Sequence, residues 1–138
     1  MHRCHRRLRS GAGRFELKTT KRTAAGHRAE LAVVDYLVVR GFAILGRNVR
    51  LGPLEVDIVA RQGNLVVVVE VRTRGPTSQQ SAFESIGPTK RANLHRAVER
   101  LWREQLETMK DVDRVRIDVA AVSFEGGTTR VEYVEGAL

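Results

Sequence analysis

Leu54-Glu55-Val56-Asp57, followed beyond the polar triplet Gln62-Gly63-Asn64 by Val66-Val67-Val68-Val69-Glu70-Val71-Arg72, decides the fold. A half-buried strand alternates apolar and polar residues, because successive side chains face opposite sides of the sheet. Four consecutive valines break that alternation and mark a strand covered on both faces, from which Glu70 emerges directly. Gly63-Asn64 supplies the residue types that a tight hairpin turn needs. Folding the two runs back on that turn brings Asp57 close to level with Glu70. A carboxylate pair held at one spot on a rigid sheet suits a hard divalent cation, which takes oxygen ligands. The other use for such acids is a salt bridge with Arg72 or Arg116, which needs only one of the two.

The elements around this hairpin follow from spacing and turn residues. Thr23 can cap a helix running to about residue 40, with Ala29, Ala32, Val33, Tyr36 and Leu37 on its apolar stripe. Gly41 follows where a left-handed C-cap is wanted. Residues 42–45 read as a short strand and residues 46–52 as a basic connection carrying Arg47, Asn48 and Arg50. Residues 53–61 and 65–73 form the hairpin, and residues 74–87 a polar loop long enough to be functional. Pro88 suits the first position of a second helix, which turns Leu94, Ala97, Val98, Leu101 and Trp102 inward. Residues 114–123 and 129–134 close the chain as a hairpin over Glu125-Gly126-Gly127. The order α-β-β-β-α-β-β describes an α/β fold, a small mixed β-sheet flanked by helices.

Composition limits the function classes. The 138 residues make about one domain, expected over residues 24–138, and no apolar run reaches membrane-spanning length. The lone Cys4 excludes an internal disulfide framework and any multi-cysteine metal site. With no long apolar segment after the basic start, a cytoplasmic protein is the expectation. The net charge of +8 is unevenly placed: residues 1–23 hold eight Lys/Arg against one acid, a net +7, while the remainder holds sixteen basic and fifteen acidic residues, a net +1. The high pI therefore belongs to an N-terminal tail, expected to be disordered and able to contact phosphates nonspecifically. A solvated arm, or a translation start placed too early, fits the same composition.

One ordered series of residues carries a family resemblance. It comprises Gly26-x-x-x-Glu30, Tyr36-Leu37, Gly41, Ile44-Leu45, Asn48, Arg50, Gly52 and Glu55-Val56-Asp57. It continues with Glu70-Val71-Arg72-Thr73-Arg74, Lys90 and Arg116-Ile117-Asp118-Val119. Over about residues 24–122 the chain resembles the YraN-like family of small bacterial predicted endonucleases, assigned to the PD-(D/E)XK, restriction-endonuclease-like superfamily. The resemblance implies an αβββαβ core and a metal-dependent nuclease. By the same resemblance Asp57 and Glu70 occupy the two acidic positions of the superfamily motif, Glu30 matches the helix acid that often joins them, and Arg72 stands at the motif's lysine position.

Phosphodiester hydrolysis needs an activated water, in-line attack and stabilisation of charge on the phosphoryl oxygens, most of which Mg²⁺ or Mn²⁺ supplies. The expected ligands are Asp57, Glu70 and the carbonyl of Val71, with Glu30 approaching from the first helix. Arg72 retains a positive charge but never deprotonates, and Lys90 is the amine that can replace the missing lysine. Arg47, Arg50, Arg74 and Lys90 are the candidate phosphate contacts on the folded part. Asp118 reads either as a partner behind the metal ligands or as a buried pair with Arg72, and His27 and His95 as structural or surface residues. The expected partner is nucleic acid, structured DNA ahead of RNA, with a homodimer expected by analogy to junction-resolving enzymes. Two further classes fit the residues: a noncatalytic nucleic-acid binder that retains the nuclease fold, and a structural adaptor whose acids only maintain the sheet.

Overall fold

The valine run occupies the middle of a five-stranded sheet in the computed structural model, which describes residues 24–74 and 86–138. The elements, in order, are α1 (Ala24–Val39), β1 (Ala43–Leu51), β2 (Leu54–Gln62), β3 (Leu65–Arg74), α2 (Pro88–Leu101), a π turn (Trp102–Leu106), β4 (Arg114–Glu125) and β5 (Thr128–Val134). The sheet order is β1-β2-β3-β4-β5, antiparallel throughout except between β3 and β4. Parallel neighbours need a crossover, and α2 supplies it. The chain thus follows the expected αβββαβ order, with β5 added at the edge. The basic N-terminal tail and most of the polar loop after β3 lie outside the described residues.

Both faces of β3 are covered, as four valines in a row require. Val67 and Val69 pack with Ala29, Val33 and Leu37 of α1, while Val66 and Val68 pack with Leu94, Ala97 and Leu101 of α2. The sheet therefore has an α1 face and an α2 face. Leu106 on the π turn extends the second cluster, and Trp102 packs against it partly buried.

Two glycines set chain reversals that other residues would strain. Gly41 (φ 91°) ends α1 with its N–H bonded to the Val38 carbonyl, and Phe42 N–H reaches back to Leu37, a Schellman closure. Gly52 (φ 67°) turns β1 into β2, and a Cβ there would fall 2.0 Å from the Arg100 guanidinium.

One expectation is corrected. Residues 42–45 and 46–52 are not a short strand and a connection; they form one nine-residue strand, β1, paired with β2 from Ala43↔Arg61 to Leu51↔Leu54. The register slips between Ile44 and Gly46, and Asn48 adopts a left-handed conformation (φ 50°). A bulged edge strand tolerates Gly, Arg and Asn where a regular central strand does not, which is why its composition resembles a loop.

Asp118, fully buried on β4, sits on the α1 face, opposite in sense to Glu70. The Arg116 guanidinium holds it with two bonds (2.8 and 3.0 Å), the Tyr133 hydroxyl donates to it, and Gly136 N–H donates at 2.9 Å. Burial and the bond to Asp118 push the Tyr133 phenol well above its ordinary pKa, so it remains a donor. Asp118 thus neither pairs with Arg72 nor backs Glu70; it ties the chain beyond β5 to the middle of β4. Removing one partner of a buried charged network leaves the others desolvated and unpaired. Asp118→Ala is therefore expected to lower the unfolding free energy by about 3 kcal/mol and Tyr133→Phe by about 1 kcal/mol, read by urea denaturation. Equal losses from the two variants would contradict this account.

Candidate active site

The site begins where the β2–β3 ladder stops. Pairing runs from Gln62↔Leu65 to Ile58↔Val69. The next pair in that register is Asp57 with Glu70, but there the carboxylate of Asp57 takes over from backbone and accepts the Val71 N–H at 2.8 Å. β2 continues beside β1, paired through Val49↔Val56 and Leu51↔Leu54, while β3 continues beside β4 as far as Arg74↔Ser123. The strands part, and a cleft of about 430 Å³ opens between them under the first turns of α2. The N–H and C=O of a residue in an extended strand point the same way, so the Val71 carbonyl faces this gap as its N–H does.

Glu70 is the most constrained group in the cleft. It is 3% exposed, and its Oε1 is buried with no hydrogen-bond partner among the described residues. Its Oε2 has Arg72 Nη1 and Lys90 Nζ each at 3.5 Å, longer than a well-formed charged bond. Burial, and secondarily the charge of Asp57, raise the Glu70 pKa from 4.5 to about 7 against the opposing pull of Lys90 and Arg72.

Asp57, Glu70, Val71, Arg72 and Lys90, anticipated from sequence, all line this cleft, joined by Glu55, Asn93 and Leu94. The other anticipated residues lie elsewhere. Glu30, completely buried on α1, accepts from Arg47 (3.0 and 3.3 Å) and from Asn48 Nδ2 (3.2 Å), and none of these three lines the cleft. Arg50 pairs in register with Glu55 across β1 and β2. Arg74 bonds Glu132 of β5 at 2.7 Å. Glu55 was not singled out from sequence as a site residue, although it lines the cleft with Oε2 buried and without a hydrogen bond among the described residues. The signal was present: a second acid two residues before Asp57 on the same strand returns to the same side.

Among the described residues no three His, Cys, Asp or Glu side chains converge as a metal cage. The cleft offers two carboxylates at the parting of the strands and one backbone carbonyl. These are hard oxygen donors of the kind Mg²⁺ takes while keeping several waters, and the orphaned Glu70 oxygen is suited to such an ion. The donor set fits a divalent cation.

Comparison with known proteins covers most of the chain. Residues 29–122 match the profile of the Uncharacterised protein family UPF0102. The chain belongs to the UPF0102 family. A UPF0102 protein of Sorangium cellulosum is 46% identical over 118 residues, covering 85% of this chain and 82% of its own length. UPF0102 proteins of Anaeromyxobacter dehalogenans and Pseudarthrobacter chlorophenolicus are 38% and 36% identical, covering 85% and 80% of this chain and 85% and 83% of their own lengths. The matched span of the UPF0102 profile includes every residue of the cleft. No described helix of this UPF0102 chain is long and apolar enough to cross a membrane.

The raised Glu70 pKa fixes a sign for stability against pH. The folded state holds the Glu70 proton up to about pH 7, while the unfolded chain releases it near 4.5. The stabilising contribution is complete below the unfolded value and is lost as pH rises through the folded one. Glu70→Gln is expected to abolish that part of the fall between pH 4.5 and about 7, measured by denaturant unfolding of both proteins without divalent cations. Parallel stability curves for the two proteins would show that Glu70 does not titrate as described.

Proposed function

We propose that this UPF0102 protein is a cytoplasmic, Mg²⁺- or Mn²⁺-dependent nuclease that hydrolyses phosphodiester bonds in structured DNA. The observation that carries this reading is Glu70, a buried carboxylate with one oxygen unpartnered among the described residues, beside a second carboxylate, in an open cleft with two cationic side chains. An isolated structural ion pair would need only one of the two acids.

Asp57, Glu70 and the Val71 carbonyl would hold the cation. Bound there, it would supply Lewis-acid stabilisation of the phosphoryl group and activation of the attacking water. Asp57 has a second task, because its bond to Val71 N–H keeps the strands apart and the cleft open. Arg72 presents a guanidinium, permanently charged, that can hold a phosphoryl oxygen and stabilise the charge developing on it; it cannot accept a proton. Lys90 brings an amine to the same oxygen of Glu70 from α2. The contacts of both cations to Glu70 are long, at 3.5 Å, and an ammonium or a guanidinium carries more N–H donors than one such contact uses.

The test offers branched, nicked, single-stranded and linear duplex DNA to the purified protein in Mg²⁺ and Mn²⁺, with Asp57→Asn as control. Cleavage by the wild type alone is expected, and calorimetry should detect Mn²⁺ binding that Asp57→Asn abolishes while the fold survives. Equal Mn²⁺ binding by both proteins would remove Asp57 from the site. Arg72→Lys should retain or raise cleavage, and Arg72→Ala should lower it of order a hundredfold, the loss typical of one positioned electrostatic group. Salt-dependent DNA binding without cleavage by any variant would instead identify a noncatalytic binder retaining the fold, for which Arg72→Ala weakens association.

A further inference from the structure

α1 buries Ala29, Glu30, Val33 and Leu37 against the sheet. The opposite side of such a helix normally meets water and is polar. Here it carries Ala24, Leu31, Val38 and Val39, of which Leu31, Val38 and Val39 are 40%, 52% and 80% exposed. These three are the exposed large hydrophobics among the described residues. A helix that is apolar on both sides calls for cover on both. Within this outer face the polar groups are His27, Arg28 and Asp35, and Arg28 and Asp35 lie seven residues and thus about two turns apart on one stripe. Beside the stripe runs a shallow groove of about 630 Å³, closed on its far side by Phe124, Thr129 and Val131.

We propose that this outer face of α1 pairs with the same face of a second copy of the chain, antiparallel about a two-fold axis. When a helix meets its own copy in that way, contacts are reciprocal: residue i touches j and j touches i. Placing Leu31 opposite Ala32 at the axis puts Arg28 opposite Asp35 and Ala24 opposite Val39, since each pair has the same sum of residue numbers. Both copies then form the same Arg28–Asp35 ion pair, and a large side chain meets a small one at the centre. A parallel pairing in register sets Arg28 against Arg28 and Asp35 against Asp35. Charge complementarity therefore selects the antiparallel arrangement and its register. The Arg28 guanidinium already lies 4.1 Å from the centre of the Phe124 ring, which fixes it at the groove edge while its N–H groups stay available to a carboxylate. α1 and the cleft lie on opposite faces of the sheet, so this pairing leaves each cleft open and does not depend on the nuclease reading.

Sedimentation equilibrium of the full chain over a wide concentration range tests the proposal. A reversible dimer is expected from so small a patch. Arg28→Asp and Asp35→Arg should each weaken it about tenfold or more, and the double variant Arg28→Asp/Asp35→Arg should restore it, since only the reciprocal pair is regained. Leu31→Lys, which places two like charges at the axis, should yield monomer with an unchanged circular dichroism spectrum. Recovery in the double variant separates loss of pairing from loss of fold. A wild type that stays monomeric at every concentration overturns the proposal, whether residues 1–23 of the same chain or another molecule then covers the helix. A dimer indifferent to both single charge reversals overturns it equally.

Discussion

A backbone N–H inside a sheet must find an acceptor, and at Val71 that acceptor is a side chain. Had the β2 backbone supplied it, the hairpin would have stayed zipped past Ile58 and no gap would exist. The carboxylate of Asp57 instead completes the ladder's hydrogen bonding while ending the ladder itself. Everything in the cleft follows from this substitution. β2 is released to follow β1, β3 is retained by β4, and Glu70 is left at the fork, next to a carboxylate, paired with Val119 of β4 on one side and beyond the end of the β2 ladder on the other. The balance there is poised: burial and Asp57 favour a protonated Glu70, while Arg72 and Lys90 favour an ionised one. Such opposition is common at functional sites and uncommon in sheets that only need to be stable.

Glu30 is a buried acid held from another element. It too is enclosed, yet its oxygen Oε1 is gripped by Arg47 and Asn48 from the irregular stretch of β1. The left-handed turn of Asn48 delivers the amide, so the bulge and the helix acid form one structural unit. This clasp fixes α1 to the edge of the sheet. A buried pair of this kind contributes more to a unique arrangement than to net stability, because desolvation offsets most of its attraction.

The centre of the fold was legible in the sequence because its signals are local or of short period. Val66 to Val69 announce burial on two faces, and the Gly63-Asn64 turn fixes the register that sets Asp57 level with Glu70. Pro88 marks the start of α2 and thereby places Lys90 in its first turn. What was misread or missed depends on distant partners. Gly46, Arg47 and Asn48 look like a loop because only the pairing of β1 with β2 makes them a strand. The attachment of Glu30 to β1 required the bulge geometry. The partners of Asp118 include Tyr133 and Gly136, fifteen and eighteen residues away, which no periodicity connects. Glu55 was not expected in the site because an acid next to a turn ordinarily faces solvent.

The single parallel pairing has a consequence during synthesis. β3 is sealed on one edge by β2 soon after both leave the ribosome, since only a two-residue turn separates them. Its other edge waits for β4, which begins at Arg114, forty residues after Arg74 ends β3. Until then the most valine-rich strand of the molecule presents an open ladder, the kind of edge on which chains pair wrongly with one another. Non-local parallel pairing is also slow to form, because the intervening chain must be ordered before any contact rewards it. The helical crossover of α2 and its π turn thus sets the interval over which the nascent protein is vulnerable, and chaperone dependence should concentrate there.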